Sequence, residues 1–203
     1  MSSYVTIGFS KPYVAKYSAA GTNVTYTGGM DLGRGVSLSL DIETADDNNF
    51  YADNVIAESE SGVFTGGTAN IVVDGLGSEA AEMILGLPEP ESVTIGASKN
   101  VEMQGYGAAM DPPYVGFGAV RQTMRDGVIG YWPFILPKAK FSVPSDSMET
   151  REENINWQTQ ELEASIFRDD TAARNWKRVS KSPMDTEDDA YAVVKKILGG
   201  GAA

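Results

Sequence analysis

Asp47 to Glu58 is the stretch of this chain that comes nearest to a metal-binding loop. Asp47, Asn49 and Glu58 stand at the first, third and twelfth positions of a calcium loop of the EF-hand type. The fifth and sixth positions hold Tyr51 and Ala52, where such a loop needs an oxygen ligand and a glycine, and the flanks read as strands, so the match fails. Gly105-Tyr-Gly107 and Gly116-Phe-Gly118 have the start of a dinucleotide fingerprint, but Met110 and Arg121 stand where the third glycine belongs. No Gly-Lys-Ser/Thr run is present, and no lysine lies three residues after a serine. The chain has no cysteine and no histidine, which removes thiolate nucleophiles, His-based triads and the common zinc ligands. Paired carboxylates could hydrolyse a glycoside, but acids are too plentiful for sequence to single out a pair. No catalytic residue, metal or cofactor is expected.

A feature of another kind lies in the same stretch. Phe50, Tyr51, Val55 and Ile56 sit among Asp46, Asp47, Asn49, Asp53 and Glu58, where nothing local could bury them. Aromatic side chains on a polar loop either fold back onto their own domain or anchor into a partner. The elements that must position them are two strands. Val36, Leu38, Leu40 and Ile42 alternate with Ser37, Ser39, Asp41 and Glu43, and the return arm, Thr68 to Asp74, puts Ala69, Ile71 and Val73 on its core face. Between them, residues 44–67 form a long acidic loop without lysine or arginine. A loop of that length in a compact domain is functional or disordered.

The remaining chain reads as short strands punctuated by glycine: Tyr4–Phe9, Tyr13–Tyr17, Asn23–Thr27 closed by Gly28-Gly29, Ser92–Ile95, Asn100–Met103, Ala139–Val143, Ile155–Trp157, Gln160–Phe167 and a basic segment Asn175–Val179. Phe64-Thr-Gly-Gly67 is read as a strand-ending turn. Asp126-Gly127 is a strong hairpin signal between Tyr114–Met124 and Val128–Leu136. The second of these strands is apolar on both faces, with Ile129, Tyr131, Trp132 and Phe134. Pro133 argues that it lies at a sheet edge covered by a neighbouring subunit, the alternative being burial on both faces by the same chain. Two short helices are expected at about 79–85 and 187–198. Ser78 would cap the first, with Met83, Ile84 and Leu87 packing on the sheet. Thr186 and Asp189 would form a capping box for the second, with Val193, Val194, Ile197 and Leu198 as its apolar face. Many alternating strands and two helices predict a mainly β fold, a β-sandwich or partly closed barrel, in one domain spanning 1–203.

Charge sharpens this. The 203 residues carry a net charge of −12. From Gly35 to Ser98 there are twelve acids and no base, while the remainder holds sixteen of each, so the whole excess lies in one third of the sequence. That block would repel nucleic acid. It is a solvated surface, or it meets the basic part of a neighbouring copy. The mean hydropathy of −0.21, an N-terminus without signal-peptide character and no apolar run long enough to span a bilayer lead to the expectation of a soluble protein made in the cytoplasm.

The run Ser37-Leu-Ser-Leu-Asp-Ile-Glu-Thr-Ala-Asp-Asp-Asn-Asn-Phe-Tyr-Ala-Asp-Asn-Val55 resembles the major tail tube proteins of long-tailed, non-contractile bacteriophages. So do Phe64-Thr-Gly-Gly67, Asp74-Gly-Leu76, Asp111-Pro-Pro-Tyr-Val-Gly116 and Trp157-Gln-Thr-Gln-Glu-Leu-Glu163. The resemblance covers nearly the whole chain in order, with loops and C-terminus carrying over least. It implies a structural virion protein without catalysis, six copies to a ring, and rings stacked into a tube that conducts DNA through an acidic lumen. It also implies that the loop at about 44–67 reaches the next ring, and that tape measure and tail terminator or tip proteins are partners. On this reading Asp46, Asp47, Asn49, Phe50, Tyr51, Asp53, Val55, Ile56 and Glu58 form an inter-ring contact. Ser37, Ser39, Asp41, Glu43, Glu161 and Glu163 line the lumen, and Ile129, Tyr131, Trp132 and Phe134 belong to an intra-ring edge. A competing reading is a carbohydrate-binding β-sandwich module using Trp132, Trp157 or Trp176 as a stacking platform.

Overall fold

A computed structural model describes residues 3–96, 99–146, 148–150 and 157–199. Its centre is one antiparallel eight-stranded sheet. In chain order its strands are β1 (Val5–Ala20), β2 (Asn23–Asp31) and β3 (Gly35–Thr44). β4 (Asn48–Ala52) and β5 (Val55–Glu60) form a separate hairpin, and the chain returns as β6 (Phe64–Val73). Helix α1 (Ser78–Leu85) and a second separate hairpin, β7 (Glu91–Ile95) with β8 (Lys99–Met103), come next. Then follow β9 (Val115–Arg125), β10 (Val128–Phe141), β11 (Gln160–Phe167), the two-residue β12 (Arg178–Val179) and helix α2 (Glu187–Ile197).

The strand order is β2-β1-β9-β10-β11-β6-β3, with β12 added to β10. The sheet curls until β3, at one end of this order, packs against β1, where the Phe9 ring lies so close to Gly35 that a Cβ there would collide with it. The result is a partly closed barrel. Alternation along each strand fills its interior with Val14, Ala69, Ile71, Val73, Val115, Phe117, Leu136, Phe141, Leu162, Ala164 and Ile166, and α1 adds Ala80, Ile84 and Leu85. Met83 and Leu87 pack against this core as expected. The N-cap of α1 is Gly77, without a side-chain cap, and not Ser78; Gly86, at φ 58°, ends the helix.

Outside the barrel, α2 covers β1, β9 and β10. Ala190, Val194 and Leu198 are buried, and Val194 and Leu198 pack on Tyr13, Ala15 and Ile135. Thr186 is the N-cap as expected, its Oγ1 accepting from the Asp189 amide at 3.2 Å, while the Asp189 carboxylate accepts from the Thr186 hydroxyl at 2.6 Å and not from its amide as in a full capping box. Gly116-Phe-Gly118 now has a physical reason: a period of two puts both glycines under α2, where a Cβ on Gly118 would lie 2.5 Å from Val194 Cγ1. Among the described residues no helix is long and apolar enough to cross a membrane.

Several boundaries differ from expectation. β1 is continuous through Lys11-Pro12, accommodating Lys11 at φ 52° in an irregularity of the β1–β9 register. Gly28-Gly29 does not end β2; the extra residue forms a bulge with Gly28 at φ 64°, and pairing resumes through Asp31. Phe64-Thr-Gly-Gly67 is the start of β6, not a turn, because Gly66 and Gly67 pair with Glu43 and Ile42. Ala139 to Phe141 belongs to β10, and the basic segment supplies only Arg178 and Val179 to a strand. The expected strand at Ile155–Trp157 lies partly outside the described residues.

Candidate assembly surfaces

Residues 44–67 are not a loop. Thr44 ends β3 and Phe64–Gly67 begin β6, and between them β4 and β5 form a two-stranded arm that continues the β3–β6 pair through the Ala45 amide to Val63 carbonyl bond (2.9 Å) and the Gly62 amide to Asp47 Oδ1 bond (2.9 Å). The arm reverses at Asp53 and Asn54, both with positive φ (50° and 64°), the conformation of a tight hairpin turn. Phe50 faces Glu58 and Tyr51 faces Ile56, with a register shift between them. Alternation and this shift put Phe50 and Val55 on one face and Tyr51 and Ile56 on the other. All four are 54–64% exposed, so none folds back onto the barrel. Asn49 and Glu58 fall on opposite faces, which removes what remained of the calcium-loop pattern. Asp46, Asp47, Asn49, Asp53 and Glu58 are exposed, so the arm is acidic and apolar at once.

The second surface is built by register. Ser37, Val72 and Glu161 form one cross-strand row over β3, β6 and β11; Ser39, Asn70 and Glu163 form the next; Asp41, Thr68 and Ser165 follow. The expected set Ser37, Ser39, Asp41, Glu43, Glu161 and Glu163 thus shares one exposed face of the sheet, with Asn70 Nδ2 donating to Asp41 Oδ2 at 3.4 Å. A groove of about 420 Å³ runs along it, walled by Ser142 to Ser145. Strand pairing was the missing signal for Asn70 and Thr68, which complete the rows. It also brings Lys140 beside Ser165, so a cation borders the carboxylate face. On β3 the core face is narrower than the alternation suggests. Leu38 and Leu40 pack inward, whereas Val36 and Ile42 are 54% and 38% exposed, Val36 because a register shift follows Gly35.

The expected edge strand is not an edge. β10 is flanked by β9 along nearly all its length, and on the other side by β11, β12 and a bridge from Tyr131 to Met184. Pro133 is tolerated for a local reason. Its carbonyl accepts from the Ser180 amide at 3.4 Å, so its missing N–H also points to the β12 side, where pairing is only two residues long. Trp132 and Phe134 are buried, Tyr131 is half-buried, and Ile129 alone of the four is open. Burial within the same chain accounts for this strand.

The tryptophans also separate. Trp132 Nε1 donates to Thr123 Oγ1 at 2.8 Å in a buried site, and Trp176 stacks on Phe64 with ring centroids 4.9 Å apart. Trp157 is 84% exposed. Among the described residues no group of three or more metal-ligating side chains occurs, and the one buried carboxylate, Asp169, accepts from Thr171 Oγ1 at 2.8 Å. Asp170, nearer the surface, is held below the usual carboxylate range by hydrogen bonds from Lys138 (2.7 Å) and the Tyr17 hydroxyl (2.7 Å). In turn burial and the bond to Asp170 push Tyr17 up to about 12. These groups tie the outer face of β1 to the segment after β11. No protein-family model matches the chain, and no curated protein matches it in sequence.

Proposed function

We propose that this chain is a structural subunit that assembles with copies of itself into stacked rings, expected to be hexameric, forming the tube of a non-contractile phage tail. The observation that carries the reading is the β4–β5 arm within residues 44–67, a hairpin with apolar side chains uncovered on both faces and no base along its length. A two-stranded hairpin gains little stability by itself, so such an arm suits a partner. Identical subunits joined through unlike surfaces close into rings or propagate as filaments, and an acidic arm on a body with basic patches supplies unlike surfaces. The exposed rows of Ser37, Ser39, Asp41, Glu43, Glu161 and Glu163 are the candidate lumen lining, suited to a conduit that must not hold the DNA passing through it. Tape measure and terminator or tip proteins are the expected partners, no cofactor is expected, and the expected location is the virion after assembly in the host cytoplasm. Negative-stain electron microscopy of purified protein should show rings or tubes; a species that stays monomeric at high concentration overturns the proposal.

One observation favours the carbohydrate-binding alternative. Trp157 lies open beside Gln158, Gln160 and Glu161 in a polar groove of about 440 Å³. Glycan binding by a stable monomer, lost in Trp157→Ala, would replace the assembly reading.

A further inference from the structure

The barrel is not sealed where β3 meets β1. A cleft of about 210 Å³ opens there, floored by Phe9, Leu38, Leu40 and Phe134 and bordered by Arg121 and Lys177. Arg121 points inward beside Trp132, its guanidinium 5.4 Å from that ring, and its buried Nε has no hydrogen-bond partner among the described residues. A buried donor without an acceptor is costly, and a cation left so has most to gain from an arriving carboxylate. Lys177 is exposed on the rim, in the middle of a run from Thr171 to Met184 that contains four bases and no acid. The cleft therefore asks for an occupant that is apolar with a carboxylate close beside it.

The arm has that chemistry. Phe50 and Glu58 are direct cross-strand partners on one face, so a ring and a carboxylate project side by side. The arm carries only negative charge, while the side chains bordering the cleft are positive. A cavity of roughly 150 Å³ accommodates benzene, so this one has room for the phenylalanine ring. We infer that the cleft is the docking site for the arm of a second copy, with Phe50 of that copy in the cleft and its Glu58 between Arg121 and Lys177. This rests on the self-assembly reading and adds the acceptor to it. The same chain carries donor and acceptor as different surfaces, so a docked pair still offers one free arm and one free cleft to further copies.

Because the chain has no cysteine, Glu58→Cys and Lys177→Cys chains each carry a single thiol. Full-length E58C and K177C proteins, mixed and oxidised, should form a disulfide-linked heterodimer at least about tenfold above the E58C–E58C background, since the bond needs Cα atoms within about 7 Å. Rings or tubes without that cross-link overturn the cleft as acceptor and leave assembly standing. Neither assembly nor cross-link at any concentration overturns both. An intramolecular bond in a monomeric E58C/K177C chain shows that the arm fills its own cleft and overturns the second copy as occupant. In parallel, Glu58→Lys and Lys177→Glu should each raise the concentration for half-assembly about tenfold, and the two on one chain should restore it. Unchanged assembly in both single variants refutes the pairing.

Discussion

Replacing Phe50 and Tyr51 together with serine separates the arm's part in assembly from any part in folding. The two side chains are 64% and 62% exposed, and their cross-strand neighbours are Glu58 and Ile56 on the arm itself. Complete burial of a large apolar side chain is worth about 1.5–3 kcal/mol, so covering the remaining two thirds of each contributes about 1–2 kcal/mol. The pair then supplies about 2–4 kcal/mol to docking, and its loss should weaken association roughly 30-fold to 1,000-fold. The folded monomer loses only cross-strand contacts, about 1 kcal/mol or less, which for a chain of this size lowers Tm by about 4 °C at most. Sedimentation velocity over a concentration series measures the first quantity and a thermal melt the second. A fall in Tm of about 10 °C or more would show that the rings belong to the core. Association unchanged from the parent chain would show that the arm is not the docking element.

Other perturbations probe the scaffold. Gly118→Val should lift α2 from the sheet, because a Cβ there already meets Val194 and Leu198, and should destabilise by about 1–3 kcal/mol in a denaturant melt. Trp132→Ala should cost about 3–5 kcal/mol through loss of a buried ring and its bond to Thr123, while Trp157→Ala should leave stability within about 0.5 kcal/mol. The Tyr17–Asp170 contact should show in both limbs of a pH–stability curve. Tyr17 is raised in the folded state, so its contribution is complete below pH 10 and is lost as pH climbs toward about 12. Asp170 is lowered, so its contribution is present above the ordinary carboxylate range and is lost as pH falls through its folded value. Burial also raises Tyr13, Tyr26 and Tyr191, so Tyr17→Phe should shrink the alkaline limb and remove one of four late-titrating tyrosines from an absorbance titration.

Local signals were legible where one strand or helix sufficed. The alternation of Leu162, Ala164 and Ile166 with Glu161 and Glu163 places each on its observed face, and Asp126-Gly127 makes the expected turn, with φ of 51° and 82°. Thr186 caps α2 as read, through the Asp189 amide. What failed depended on pairing between distant segments. Pro133 pointed to an edge because proline removes one ladder bond, yet nothing local reveals that the missing bond faces so short a partner as β12. Val36 and Ile42 were placed inward with Leu38 and Leu40, and a register shift exposed the first while the end of the barrel exposed the last. The acidic stretch offered apolar residues on both sides of what proved a hairpin, and a pattern without alternation conceals its strands. Closure of β3 against β1, and with it the cleft around Arg121, is a tertiary fact with no trace in periodicity.

The arm's strands hydrogen-bond as a sheet of their own, apart from the barrel's ladder. Damage to it is therefore nearly invisible to the rest of the molecule. A copy with a broken arm keeps its core, its barrel and its melting behaviour, and quality control that senses unfolding leaves it in place. On the docking scheme above, such a copy still accepts a neighbour through its cleft but cannot reach the next. It joins a growing assembly and halts it. Defects in the arm should accordingly be dominant in mixtures, with a small fraction of altered chains shortening every tube, whereas defects in the core should be recessive, because misfolded copies never enter.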